Sequence, residues 1–194
     1  MRTRLVASAL ALTAPLIAAA PAQAGAVKKK RLHVRVGRTV VVVGDAPSRV
    51  AALEIRRRGA WRTLDRDRTT VSGRFVLRDR MRRPLSAPAR LVVGGGTTRL
   101  GRLNAFREAS ASWYGPGLYG NHLSCGGRLT PGRLGVAHKS LPCGAKVTLR
   151  KGDRTVRVRV IDRGPYVGGR EFDLTAATAR RLDFHGHGAV LTTR

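Results

Sequence analysis

Asp162 ends the apolar run Val158-Arg159-Val160-Ile161 and precedes Arg163-Gly164-Pro165-Tyr166. A strand end followed by Gly-Pro makes a rigid corner, so a carboxyl group there is held in one place. A carboxylic acid that is partly buried can donate a proton near neutral pH, because burial disfavours its charged form. The chemistry open to such a group is protonation of a leaving oxygen. A turn cap, or a pair with Arg163, is the competing reading of Asp162. His138, in Ala137-His138-Lys139-Ser140-Leu141-Pro142, could bond a substrate hydroxyl or hold a carboxylate, or be a satisfied structural histidine. Trp113, Tyr114 and Tyr166 offer flat faces that could stack on a sugar ring, and Trp113 and Tyr114 read equally well as core. Asp173, in Phe172-Asp173-Leu174-Thr175, reads as a helix cap rather than a catalyst.

The compartment follows from the first residues. Arg2 and Arg4 form a basic start, Leu5 to Ala20 an apolar core, and Ala22-Gln23-Ala24 a small-x-small cleavage signature, so residues 1–24 read as an export signal with Gly25 first in the mature chain. A transmembrane anchor fits less well, because Ser8 and Pro15 interrupt a core already short of the roughly 20 residues a span needs. No Cys stands at the cleavage site to carry a lipid. Cys125 and Cys143 both belong to the exported part, where disulfides persist. One bridge between them is placed ahead of a metal site, since two Cys with scattered His do not make zinc spacing. His185 and His187, split by Gly186, suit a loop better than a ligand pair, and no metal or cofactor is expected.

Charge is extreme. Lys and Arg number 38 against 11 Asp and Glu, a formal net charge of +27, and Arg supplies 32 of the 38. Such a surface attracts polyanions, or merely reflects an Arg-rich composition. Export and the lack of an aromatic-basic recognition motif exclude nucleic acid, leaving anionic wall polymers among the candidate partners.

The elements that must position these residues are β-strands. Residues 25–31, with Lys28, Lys29, Lys30 and Arg31, read as a flexible basic arm. From Leu32 to about residue 107, short alternating runs with Gly punctuation predict a small antiparallel sandwich of immunoglobulin-like character, with Trp61 read as core and the segment Arg99–Glu108 as a linker. The domain divisions are therefore 25–108 and 109–194. In the second, Lys146 to Leu149 and Thr155 to Val160 form a hairpin over Lys151-Gly152-Asp153, with three Val on one face. Thr175 to Phe184 reads as a short helix capped by Thr175 or Asp173 and ended by Gly186, and Ala189 to Thr192 as a last strand.

Four pieces in order carry a resemblance: Ala111-Ser112-Trp113-Tyr114-Gly115, Gly135-Val136-Ala137-His138-Lys139-Ser140-Leu141-Pro142-Cys143-Gly144, Val160-Ile161-Asp162-Arg163-Gly164-Pro165-Tyr166, and Phe172-Asp173-Leu174-Thr175. Over roughly 110–193 the chain resembles the double-psi β-barrel domain of the rare lipoprotein A family, with expansins and barwin-like proteins as distant relatives. The resemblance implies an all-β, six-stranded barrel with one short helix and a groove. It implies peptidoglycan glycan strands as the partner, and in some members their cleavage as lytic transglycosylases. Carried over by motif, Asp162 is the acid and His138 faces it; Trp113, Tyr114, Thr130, Arg163 and Tyr166 are the further candidates for contacting substrate. Family members that cleave glycan carry an Asp eight positions before the His. Here that position is Thr130, whose hydroxyl cannot act as a carboxylate. The expectation is a secreted, monomeric, wall-associated protein that binds glycan and cleaves it, or a non-catalytic, expansin-like binder.

Overall fold

A computed structural model describes residues 25–47 and 50–194, so the export signal expected over 1–24 lies outside the described residues. The strands are β1 (Ala26–Arg31), β2 (His33–Arg35), β3 (Thr39–Asp45), β4 (Val50–Arg57), β5 (Ala60–Arg68), β6 (Arg74–Arg80), β7 (Leu85–Val93), β8 (Gly96–Tyr114), β9 (Val136–His138), β10 (Lys146–Lys151), β11 (Arg154–Asp162), β12 (Phe172–Thr175) and β13 (Gly188–Thr192). One short helix, α1 (Ala176–Leu182), lies between β12 and β13.

In the N-terminal part, β1, β3 and β6 make one antiparallel sheet, and β5, β4, β7 and β8 make a second, with β2 added parallel to β8. Alternation decides which residues turn inward. Val40 and Val42 of β3, Leu53 and Ile55 of β4, Phe75 and Leu77 of β6, Leu91 of β7 and Leu103 of β8 meet in one core drawn from both sheets. Side-chain carboxylates tie the edge of one sheet to the other. Asp67 accepts from the Val76 N–H at 2.8 Å and Asp65 from the Arg78 N–H at 2.7 Å, satisfying backbone donors on β6. The β4–β5 connection is a two-residue turn with both residues left-handed, Arg58 at φ 49° and Gly59 at φ 83°. That geometry matches the twist of a hairpin and ordinarily selects Asn or Gly.

Three expectations are corrected here. The basic arm is strand β1, paired with β3 and pinned by an ion pair from Lys28 to Asp45 and by Lys30 Nζ donating to the Leu100 carbonyl at 3.0 Å. Trp61 is only half-buried, and the Arg90 guanidinium covers its ring at 4.1 Å. In place of a linker at 99–108, β8 runs unbroken through both parts of the molecule. The polar residues that read as linker alternate with apolar ones, and Leu103 and Ala105 enter the first core while Ala109 and Ala111 enter the second.

The C-terminal part closes on itself. β8 pairs with β12, β12 with β9, β9 with β11, β11 with β10, β10 with β13 and β13 with β8, a ring of six strands with no free edge. The β8–β12 and β9–β11 pairs are parallel and the rest antiparallel. Val156, Val158 and Val160 of β11 turn inward against Leu149, Phe172, Leu174 and Val190. Thr175 caps α1 by accepting from the Thr178 N–H, and Asp183, left-handed at φ 53°, ends it. Asp173 is thus not the cap, and the helix stops at Leu182, four residues before Gly186.

One contact sets the register of the ring. The β9–β11 pairing slips by one residue between Val160 and Asp162, leaving Ile161 as a bulge. The Ile161 side chain packs with Leu123 and Leu129 directly over Gly135, where an added Cβ would lie 2.2 Å from its Cδ1. Gly135 cannot retreat, because Thr178 Oγ1 accepts from its N–H at 2.9 Å and the Thr175 N–H donates to its carbonyl at 3.1 Å. The expected Cys125–Cys143 bridge is present, with a Cα–Cα distance of 5.5 Å.

Gly135→Ala is expected to destabilise the barrel by about 1–3 kcal/mol through overpacking at Ile161, read as a lower denaturation midpoint. An unchanged midpoint would show that Ile161 yields freely. Replacing both Cys by Ser, across a sequence separation of 18, is expected to remove about 3 kcal/mol. Thermal melts with and without reductant check this, since only the parent should respond to the reductant.

Candidate functional site

The bulge decides where Asp162 points. It brings Asp162 into register with Ala137 of β9, and Ala137 is in register with Asp173 of β12, which pairs with Ser112 of β8. Residues in register share a face, so Ser112, Asp173, Ala137 and Asp162 form a row across four strands. The small Ala137 leaves two carboxylates separated by two inter-strand spacings, roughly 9–10 Å between backbones.

The two acids are held differently. Asp162 Oδ1 accepts from two backbone N–H groups, those of Ser124 and Arg163, each at 2.9 Å. These two bonds fix where its side chain points. Asp173 accepts from the Ser112 hydroxyl at 2.9 Å. Burial pushes the Asp173 carboxyl above the usual carboxylate range and the charge of Asp162 adds to this, while the Ser112 bond and the charge of Arg170 oppose it. Close to both acids lies Tyr114, whose hydroxyl is buried from solvent. Burial first, then the charges of Asp162 and Asp173, push its phenol up, so it stays protonated.

His138 does not face Asp162. Ala137 shares the face of Asp162, so its neighbour His138 turns to the opposite side, where its ring lies 4.9 Å from that of Phe172. Its Nδ1 accepts from the N–H groups of Ser140 and Leu141 at 3.1 and 3.0 Å, and its Nε2 lies 3.8 Å from Glu171. Burial disfavours the imidazolium and lowers its pKa, with Glu171 opposing. Glu171 is in turn held by both guanidinium nitrogens of Arg107. This histidine shapes the 138–141 loop.

Arg163 also serves the loop. Its Nη1 donates to the carbonyls of His138 and Leu141 at 3.1 and 2.9 Å, and its Nη2 lies 3.2 Å from Cys143 Sγ. Trp113 alternates to the face of β8 opposite Ser112 and is 37% exposed, so it stands apart from the carboxylate row. Tyr166, 81% exposed, projects after the cis Gly164–Pro165 peptide four residues beyond Asp162. Thr130 is exposed in the loop that the disulfide closes. Asp173, Ser112 and Ser124 were not among the sequence candidates. The available signal was that Phe172, Asp173 and Leu174 alternate, which in a strand places Asp173 opposite the two core residues.

The lytic transglycolase family model matches residues 107–192. A probable endolytic peptidoglycan transglycosylase RlpA from Synechocystis sp. is 37% identical over 121 residues, covering 57% of this chain and 38% of that one. The endolytic peptidoglycan transglycosylase RlpA of Campylobacter jejuni is 44% identical over 85 residues, 43% of this chain and 31% of that one. The Neisseria meningitidis protein of the same name is 41% identical over 86 residues, 43% and 36%. The chain thus spans about a third of the length of the curated relatives it matches. A solved structure, Streptomyces papain inhibitor (SPI), aligns with 46% of this chain and 94% of that one at 22% identity and a TM-score of 0.35. The closed ring of six strands, the motif order, the family match and the RlpA relatives agree that residues 107–192 form an RlpA-like double-psi β-barrel domain.

Proposed function

We propose that this protein is exported, lies in the cell wall, and binds peptidoglycan glycan strands across the Ser112–Asp173–Ala137–Asp162 face, cleaving them as a lytic transglycosylase. The observation that carries the reading is the in-register pair of acids, one favoured as neutral by burial and the other held by two backbone N–H groups. A carboxyl group that burial favours in its neutral form can act as the acid, and a second carboxyl group held on the same face can take up a proton. In this reading Asp173, not Asp162, gives its proton to the glycosidic oxygen as that C–O bond breaks. The sugar's own C6 hydroxyl closes onto the anomeric carbon, and its proton passes to Asp162. Tyr166 stacks on a ring outside the row. The disulfide supports an oxidising location.

A non-catalytic, expansin-like binder is the second reading, favoured by Thr130 at the position where cleaving family members hold Asp. Purified peptidoglycan, stripped of anionic polymers, separates the two. Soluble 1,6-anhydro-muropeptides support cleavage, and co-sedimentation without products supports binding alone. If the chain only binds, Thr130→Asp is the substitution expected to create products.

Asp162→Asn and Asp173→Asn are each expected to lower product formation at least ~100-fold, the scale of general acid–base catalysis, while co-sedimentation persists. Retained cleavage in either variant would remove that residue from the reaction. The sign of the pH effect on stability follows from the raised Asp173 pKa. Its contribution is fully present below the ordinary Asp value of 3.8 and is lost as pH rises through the folded-state pKa. Asp173→Asn keeps an acceptor for Ser112 without the charge, so it is expected to raise the melting temperature at pH 7 and change it little at pH 3. Melts across that range check the direction.

A further inference from the structure

A second candidate site lies between the two parts of the molecule. The β4–β5 turn reaches across to the outer face of the barrel and encloses a cleft of about 250 Å³. Its wall carries Arg56, Arg57, Arg58, Lys146, Arg157 and Arg194, and no acidic residue lines it. None of these six side chains makes an ion pair with another described residue. On one side the Ser86 hydroxyl and carbonyl accept from Arg102 at 3.1 and 2.9 Å, which brings a further guanidinium close by. Burial and then the charge of Arg157 depress the pKa of Arg102, a sign that cations crowd here.

Cations gathered with no acidic side chain among them repel one another unless an anion sits there. Five of the six are arginines, whose planar forks match the paired oxygens of a phosphate. Arg58 also occupies a left-handed turn position that Asn or Gly would fill with less strain, so a cation stands where the backbone alone would select against it. Neither part of the chain has this cleft by itself: the turn supplies three arginines and the barrel the other three basic groups.

We propose that this cleft binds a phosphodiester-linked polyol, an anionic polymer of the cell wall, and so clamps the protein beside the glycan. The polymer's location rests on the glycan reading above; the phosphate chemistry does not.

The test is titration of the full-length protein, at fixed ionic strength, with soluble poly(glycerol phosphate), inorganic phosphate and duplex DNA at equal phosphate concentration. Arg57→Gln/Arg157→Gln is expected to weaken binding of the polyol polymer about tenfold, the loss of one to two charge-assisted contacts. Arg66→Gln/Arg68→Gln removes the same charge from the far end of β5 and is expected to weaken it less than about twofold. Inorganic phosphate is expected to compete only at far higher concentration. Equal loss in both pairs overturns the proposal in favour of net charge, and so does absence of binding. DNA held as tightly, with the same dependence on Arg57 and Arg157, overturns the wall-polymer assignment. The glycan reading is scored apart, because Arg57→Gln/Arg157→Gln is expected to act normally on polymer-stripped peptidoglycan.

Discussion

Ile161 is an extra residue in β11, and the carboxylate row exists because of it. In an unbroken parallel ladder Asp162 would fall beside His138, on the side that carries Phe172. The bulge moves it by one position, and in a strand one position is a change of face. The slip is held by a packing fact: Gly135 has no side chain, so Ile161 can fold down over it into the cluster with Leu123 and Leu129. Thr175 and Thr178 hold Gly135 from behind, so the start of α1, the bulge and the acid form one mechanical unit.

The loops around that unit are secured from within. Arg163 spends its guanidinium on the carbonyls of His138 and Leu141, and His138 spends Nδ1 on the N–H groups of the same loop. The Cys125–Cys143 bridge fixes the opposite loop, and the Ser124 N–H next to it bonds Asp162. Residues that share motifs with Asp162 therefore act as its scaffold. Asp162 and Asp173 share a face of the barrel, and Tyr166 is exposed nearby in sequence.

The continuous β8 changes how the N-terminal part is understood. A flexible connection would let two domains move apart. A single 19-residue strand shared by two cores resists that and fixes the distance between the β4–β5 turn and the barrel. The basic cleft between them depends on this rigidity.

Short-range patterns determined much of the molecule. The three inward Val of β11, the β10–β11 hairpin, the cap at Thr175 and the strand content follow from alternation and turn chemistry, which are local and so visible in a row of letters. The pairing of the two Cys, in a chain that reads as exported, was equally accessible, because it needs only a count and an expected compartment. Tertiary structure alone decided the face of Asp162, the turning away of His138, the partnership of Asp162 with Asp173, and the passage of β8 through a stretch that reads as linker. Each depends on which strand lies next to which and in what register. A one-residue bulge leaves no distinct mark in composition, yet it exchanges the two faces of a strand.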